Sequence, residues 1–527
     1  TANPQTRPPM HTENNQPAVN PWLIALAVML ATFMEVLDTS IANVALNHIA
    51  GSLSISTDES TWVLTTYLIS NAIVIPSTAW FGQKFGRKRF LVTCVAIFTM
   101  ASLLCGLAVS LPMLLLMRVI QGAGGGALQP IAQAVLMESF PKEKQGLAMG
   151  VYGLGIVVAP ILGPVLGGWI TDNYSWRWIF FINVPVGVLA IALIQRFIHD
   201  PHWIRDARPA RLDFIGFSFM SLWLGCQEVL LDKGQEDDWF GSHFIVVMAV
   251  LAGIGLAVFV MRELMIEKPF VNLRVMTNYN FTVGMLLMFF AGLVLYGLTA
   301  LIPLYLQSLM GYTATWSGIA MIPRGFGALI AMPLAGRLVG RIQGRWLAAV
   351  GFLLYGASSW LLSRITLDIS PMVLFWPLFV SGFSIGFIFV PLQTLALGSL
   401  KPEQMGNASG IFNLMRNVGG SVGISLTTTL AERFAQARQT TLVAHLTPFD
   451  NAYQTAMRTT STLFAGGAGD VTAQQQSLGS LYQQLLTQAN FLAYLEIFRW
   501  LLLLCLVCVG AAMILKNVKV HGPVAMH

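Results

Sequence analysis

The stretch GLGIVVAPILGPVLGG runs from Gly153 to Gly168 and places Gly155, Ala159, Gly163 and Gly167 at every fourth position, with Pro160 and Pro164 beside two of them. Four-residue spacing puts all four on one helix face, and the run closes at Gly168. A face without side-chain bulk lets a neighbouring helix approach backbone to backbone, which is how helices associate where lipid removes the hydrophobic drive. Two prolines would break a soluble helix. In a membrane bundle the neighbours can satisfy the freed carbonyls, so the stretch predicts a bent, close-packed intramembrane helix.

A second segment repeats this plan. GLAMGVYGLGIVVAPILG from Gly146 aligns without gaps on GNASGIFNLMRNVGGSVG from Gly406, matching Gly146 with Gly406, Gly150 with Gly410 and Gly163 with Gly423. The offset, 406 minus 146, is 260, and it also carries Gly122 onto Gly382 and Gly126 onto Gly386. Register held over two consecutive helices indicates a duplicated helical half.

Composition sets the class. Hydrophobic residues make up 55% and charged residues 10%, with a mean hydropathy of +0.67, against about 25% charged in soluble domains. Apolar stretches of about 17 to 25 residues begin near 22, 61, 90, 112, 146, 178, 213, 243, 279, 315, 346, 372, 406 and 491, predicting fourteen spans. The fold class expected is an all-α polytopic membrane protein. Its domains are a tail over 1–21, a six-helix bundle over 22–198, linkers with two inserted helices over 199–278, a second bundle over 279–515, and a tail over 516–527.

The net charge of +6 does not point to nucleic acid, because the basic residues are sorted by side. Arg87, Lys88, Arg89, Arg205, Arg208, Arg211, Lys268 and most others fall on one side. Arg177, Lys233, Arg364, Arg433, Arg438, Arg458 and Arg499 fall on the other. The positive-inside rule then places both termini in the cytoplasm. Residues 1–21 lack a basic n-region and a small-residue cleavage site, so no signal peptide is read there. Cys94, Cys105, Cys226, Cys505 and Cys508 all lie in apolar spans and read as small hydrophobes.

The outer segment 431–490 holds two amphipathic stripes, Tyr453, Ala456, Met457, Thr460 and Phe464, then Leu478, Leu481, Tyr482, Leu485 and Leu486. They read as two helices that either lie on the protein surface or among lipid headgroups, or form a docking platform for a periplasmic partner.

Glu35 and Asp38 sit inside the first span, one turn apart. Carboxylates at such depth cost at least about 2.5 kcal/mol each to insert, so they normally face a cavity and mark an ion or proton path. An acid in these surroundings can take up and return a proton near neutral pH, as a proton-coupled carrier requires. Arg118 lies at the depth of Asp38, each about six residues or ~9 Å below the outer boundary, so the two can pair. Snorkelling to the headgroups is the other reading of Arg118. Arg324 and Arg416 fall mid-span in the second half. They either hold an anionic amphiphile in a central cavity or bond exposed carbonyls, Asn413 and Asn417. Tyr152, Phe412, Asn413 and Gln121 complete the candidate substrate contacts. Gly419–Gly423 matches a nucleophile elbow and Gly122–Ala127 a dinucleotide fingerprint, but both lie in apolar helices with no preceding strand, so neither indicates an enzyme.

Taken together, these residues resemble the fourteen-helix drug:proton antiporter branch of the major facilitator superfamily, and within it the EmrB-like multidrug exporters. Leu37–Leu46 is similar to the branch's first-helix motif, with Ser40 for the usual threonine and Asn47 for the usual proline. Leu114, Arg118, Gln121 and Gly122 resemble the fourth-helix motif associated with proton transfer. Gly155–Gly168 resembles the antiporter motif, and Trp176–Pro185 is typical of the branch. Gly86, Arg87, Lys88 and Arg89 fit the cytoplasmic loop motif, where Ala79 and Gln83 replace the usual glycine and aspartate.

The resemblance implies an inner-membrane antiporter that exports amphipathic compounds in exchange for protons, with the proton gradient as energy source and no cofactor. It also implies a periplasmic adaptor and an outer-membrane channel as partners, alongside membrane lipids. A carrier dedicated to one metabolite, such as a fatty acid or siderophore, and a non-transporting scaffold are the alternatives.

Overall fold

The computed structural model describes residues 20–200 and 213–516, apart from 268, 340, 368–370, 399, 445, 448 and 465–469. Most of both predicted tails, the linker arginines Arg205, Arg208 and Arg211, and Lys268 lie outside the described residues.

Among the described residues the chain is helical throughout. The first half comprises α1 (Pro21–Leu53), α2 (Thr57–Phe85), α3 (Arg87–Gly106), α4 (Leu111–Gly125), α5 (Leu128–Ser139), α6 (Lys142–Asn173), α7 (Trp178–Phe181) and α8 (Asn183–Phe197). The inserted pair is α9 (Phe214–Lys233) and α10 (His243–Met265). The second half comprises α11 (Tyr279–Ser308), α12 (Ala314–Ala320), α13 (Ile322–Leu338), α14 (Gly344–Leu362), α15 (Pro371–Leu397), α16 (Pro402–Ala444), α17 (Asn451–Phe464) and α18 (Asp470–Met513).

Local chemistry sets several of these boundaries. Ser56 and Glu59 form a capping box at the start of α2, with Glu59 N donating to Ser56 Oγ at 3.1 Å and Ser56 N donating to Glu59 Oε2 at 2.9 Å. Asn278 caps α11 by accepting from Phe281 N at 3.2 Å. Three of the predicted spans are broken helices. The glycine run Gly124–Gly126 lowers helix propensity enough for a turn to part α4 from α5, and similar breaks at Ile182 and Met321 part α7 from α8 and α12 from α13.

Among the described residues, twelve helical runs are long and apolar enough to cross a membrane, with α4–α5, α7–α8 and α12–α13 each counted as one. Helices also occupy the other two predicted positions, where Arg345 at the head of the 19-residue α14, and polar groups such as Asn413, Arg416 and Asn417 in α16, dilute the apolar character. Helices thus stand at all fourteen predicted positions, twelve of them long and apolar enough by length and composition alone.

The outer segment also differs from expectation. Residues 431–444 continue α16, and the stripe from Leu478 to Leu486 belongs to the 44-residue α18 rather than to a helix of its own. Nothing between 470 and 513 breaks the backbone ladder, so helicity outlasts the apolar composition that the span was read from. Only the Tyr453–Phe464 stretch forms a separate helix, α17, which packs on α18. Arg438 ties α16 to Glu496 of α18 at 2.8 Å.

The duplication appears as equivalent packing. A Cβ at Gly122 or Gly126 would collide with the α2 backbone at Tyr67 and Asn71, and one at Gly382 or Gly386 with the α13 backbone at Arg324 and Ala331. Between the halves, Gly150 approaches Met332 O of α13, while Gly410 approaches Ile75 O of α2, at 2.5 and 3.2 Å from an added Cβ. Residues separated by 260 positions thus take matching places, helix for helix, on either side of a pseudo-two-fold axis.

The small-residue face of α6 packs on α1. An added Cβ at Gly155 would meet Met29 Cγ at 2.8 Å, and one at Gly163 would collide with Ser40. Pro164 has no N–H to give the carbonyl of Pro160 one turn earlier, and Ser40 Oγ donates to that oxygen from α1 at 3.1 Å. The neighbouring helix thus repairs the bond that the proline removes.

Candidate functional site

The site begins on α1, whose packing against α6 and α8 turns Glu35 and Asp38 into the protein, 5% and 2% exposed. The two acids share the helix face but not their partners. Arg118 Nη1 donates to Asp38 Oδ2 at 2.6 Å, and Asp38 Oδ1 accepts from Gln121 Nε2 at 2.9 Å and Asn183 Nδ2 at 2.7 Å. Arg118 is fully buried and does not snorkel. Its Nε donates to Val63 O at 2.9 Å, and its guanidinium lies 4.3 Å from the centre of the Tyr67 ring. Every element of this network belongs to the first half. A buried pair with this many hydrogen bonds is stable as a unit and costly to break on one side only.

Glu35 faces the other way, into the interface. Gln129 Nε2 donates to its Oε2 at 2.7 Å and Asn71 Nδ2 to its Oε1 at 3.2 Å. The same Gln129 accepts on its Oε1 from Arg416 Nη2 of the second half. A single amide therefore joins a first-half carboxylate to a second-half guanidinium. Tyr152 supports this amide from behind, donating to Gln129 O at 3.4 Å.

Nearer the basic side, the contact between α5 and α16 continues as a polar seam. Gln133 and Asn413 exchange amide hydrogen bonds, and Ser409 Oγ donates to Pro130 O at 3.0 Å. The loop residues lie below it. Arg87 pairs with Glu138 at the end of α5, Lys88 N donates to Asp200 Oδ1 at 2.8 Å, and Gly86 adopts a positive φ of 84° that glycine accommodates at no steric cost. Arg89 heads α3 beside them.

A cavity enclosing about 800 Å³ of atom-free space, counting its mouth, lies between the halves. Its wall is mostly apolar, with Val36, Pro160, Tyr296 and Phe389 among the lining residues, and it carries Arg324 and Arg416. Arg324 Nη2 donates to Leu295 O at 3.3 Å and to Tyr355 OH at 3.4 Å, and Arg416 Nη2 also reaches Asn417 Oδ1 at 3.3 Å. Arg324 Nη1 and Arg416 Nε are buried and make no hydrogen bond among the described residues. Of the six candidate substrate contacts, these two arginines stand on the cavity wall. Gln121 belongs to the Asp38 network, Asn413 to the seam, Tyr152 to the support of Gln129, and Phe412 to the packed core.

Sequence reading did not single out Asn71, Gln129, Gln133, Glu138 or Asp200. The available signal was the i, i+4 spacing of Gln129 and Gln133, two amides inside an otherwise apolar helix.

Comparison with known proteins follows the same lines. A family model described as Major Facilitator Superfamily matches residues 28–424. The chain is 38% identical over 483 residues to the multidrug export protein EmrB of Haemophilus influenzae, covering 91% of this chain and 92% of that protein. It is 35% identical over 475 residues to the fatty acid resistance protein FarB of Neisseria gonorrhoeae, covering 90% and 92%. The crystal structure of the human organic anion transporter MFSD10 superposes with a TM-score of 0.55 at 13% identity, covering 93% of this chain and 100% of that one, which speaks to the fold alone.

Proposed function

We infer that this chain, which belongs to the major facilitator superfamily, is a proton-coupled exporter of amphipathic drugs and toxic amphiphiles working by alternating access. The observation that carries the reading is the Glu35–Gln129–Arg416 relay, which joins a buried acid of one half to the cavity wall of the other. The names of the similar exporters agree with it.

Ionised Glu35 orients the Gln129 amide so that its oxygen faces Arg416. A proton on Glu35 weakens that hold and frees the guanidinium for an acidic group on the substrate. Asp38, paired with Arg118 until the halves rearrange, is the second proton carrier. The unused donors of Arg324 and Arg416 fit a carboxylate or similar anion, and the apolar wall fits the rest of an amphiphile. The halves rock about α6, where Gly150 meets Met332 of α13 and Pro164 meets Gly318 of α12. The basic side faces the cytoplasm of a bacterium, the membrane is the inner one, and the opposite side meets a periplasmic adaptor leading to an outer-membrane channel.

Transport into inside-out proteoliposomes with an imposed pH gradient tests this, using a panel of anionic, neutral and cationic amphiphiles. Uptake of several compounds that Asp38→Asn abolishes is expected, with Gln129→Leu retaining substrate binding but losing its dependence on pH. Uptake of one compound alone would favour a dedicated carrier. Gradient-independent movement, or none at all, would overturn the reading.

A further inference from the structure

Helix α9 of the inserted pair carries Glu228 and Asp232 one turn apart on one face, and Glu236 follows in the turn beyond its outer end. Glu228 is the innermost and is 7% exposed. Both its oxygens take their hydrogen bond from one donor, Ser421 Oγ of α16, at 2.9 and 3.0 Å. Among the described residues no basic side chain forms an ion pair with it. Asp232 accepts from Thr65 of α2, and Lys233 pairs with Glu236 at 2.6 Å. The helix therefore bridges the bundles, tied to α2 by Asp232 and to α16 by Glu228.

The charges on the helices packed around α9 leave Glu228 without a counter-ion. On α16, Arg416 lies further toward the basic face and is engaged by Gln129, while Glu432 lies further out beside Gln235. On α2, Glu59 and Lys84 stand near opposite ends. On α10, His243 stands at the outer end, with Arg262 and Glu263 at the other. Asp232 stands one turn outward from Glu228 on α9 itself, a like charge rather than a counter-ion. An ionised carboxylate with one hydroxyl partner and no cation is far from satisfied in such a place, and carrying a proton relieves it.

A second, independent feature lies on α16. Ser425 and Thr429 follow Ser421 at i+4 and i+8, both buried, and their hydroxyls make no hydrogen bond among the described residues. Their neighbours Thr427 and Thr428 return their protons to carbonyls of their own helix at 2.7 and 3.0 Å. Hydroxyls left open outward from Ser421 are donors and acceptors still able to hand a proton along α16.

We propose that Glu228 is a further proton-exchanging carboxylate of this transporter, beyond Glu35 and Asp38, reached from the outer solution between α9 and α16, whose proton loosens the hold of the inserted helix on the second bundle. The assignment rests on the proton-coupled reading above. The exchange is simple: a proton from outer water binds the carboxylate, Ser421 keeps its own, and the charge that tied α9 to α16 is gone.

The test begins with the purified full-length protein treated with dicyclohexylcarbodiimide, which reacts with protonated acids in apolar surroundings, between about pH 5 and pH 9. Peptide mass mapping is expected to find Glu228 modified, several-fold less so as the pH rises. No modification, or the same extent at every pH, overturns the proposal. In proteoliposomes, Glu228→Gln keeps a hydrogen-bond partner for Ser421 but cannot exchange a proton, so it is expected to bind substrate while flattening the pH profile of transport. An unchanged profile marks a purely structural tie and also overturns it. If the unaltered protein moves no protons with substrate, it is the coupling reading that fails, and the carbodiimide titration still decides the fate of Glu228.

Discussion

Gln133 of α5 and Asn413 of α16 hold each other across the boundary between the halves, Gln133 Nε2 donating to Asn413 Oδ1 at 3.2 Å and Asn413 Nδ2 donating to Gln133 Oε1 at 2.6 Å. Both side chains are at most 1% exposed. An exchange of this kind closes the seam beneath the cavity on the basic side, because either amide alone would be left with buried groups unmet.

Asn413→Leu is accordingly expected to cost about 1–3 kcal/mol of the closed arrangement, and the double change Gln133→Leu with Asn413→Leu much less, since both polar groups then leave together. The measurement is the alkylation rate of a cysteine introduced at Ala134 in protein lacking its native cysteines. The single variant should react faster and the double variant should fall back toward the parent. Equal rates in all three would show that the seam does not hold the gate.

The Gly163–Ser40 contact makes a second prediction. A methyl group at Gly163 would collide with Ser40, whose hydroxyl also serves the Pro160 carbonyl. Gly163→Ala should therefore destabilise the bundle by about 1–3 kcal/mol, read as a lowered unfolding temperature in detergent. Ser40→Gly should recover part of the loss in the double variant. Independent, additive effects would contradict the close approach of α1 and α6.

A third prediction concerns pH. Burial pushes the Asp213 carboxyl up, but the bonds from Arg262 and from the backbone N–H groups of Gly216 and Ile215 outweigh it, and the net direction is down from 3.8. Arg262 holds it through Nε and Nη2, at 2.9 Å to Oδ2 and 3.0 Å to Oδ1. A depressed folded-state value means that the stabilisation is present above 3.8 and is lost as the pH falls below it. Amide exchange at the start of α9, compared with that in Asp213→Asn, should rise only below about pH 4 in the parent and be raised at every pH in the variant.

How much of this could be read without coordinates depends on the kind of residue. The glycine comb and the 260-residue echo carry the architecture openly, because close helix contact in lipid demands small residues at fixed spacing. Asp38 and Arg118 announce themselves by charge, and equal depth suggests that they meet. The partners that complete the site are neutral amides, Asn71, Gln129, Gln133 and Asn183, which cost little to insert and whose importance depends on what stands opposite them. Glu228 was hidden differently, since it lies close to the acidic turn at the end of its span and reads as part of the surface. The lengths of α16 and α18 were obscured because apolar composition stops at the membrane boundary while the backbone ladder does not.

That unbroken ladder gives α18 a mechanical property. Its apolar stretch is clamped among α11, α14 and α16, and its polar stretch continues the same stiff axis for roughly 30 Å beyond the hydrocarbon. A swing of about 10° at the clamped foot would move the outer tip, with α17 packed on it, by roughly 5 Å, so a rocking motion too small to notice at the cavity becomes, at the far end, a displacement large enough to be felt by whatever rests there.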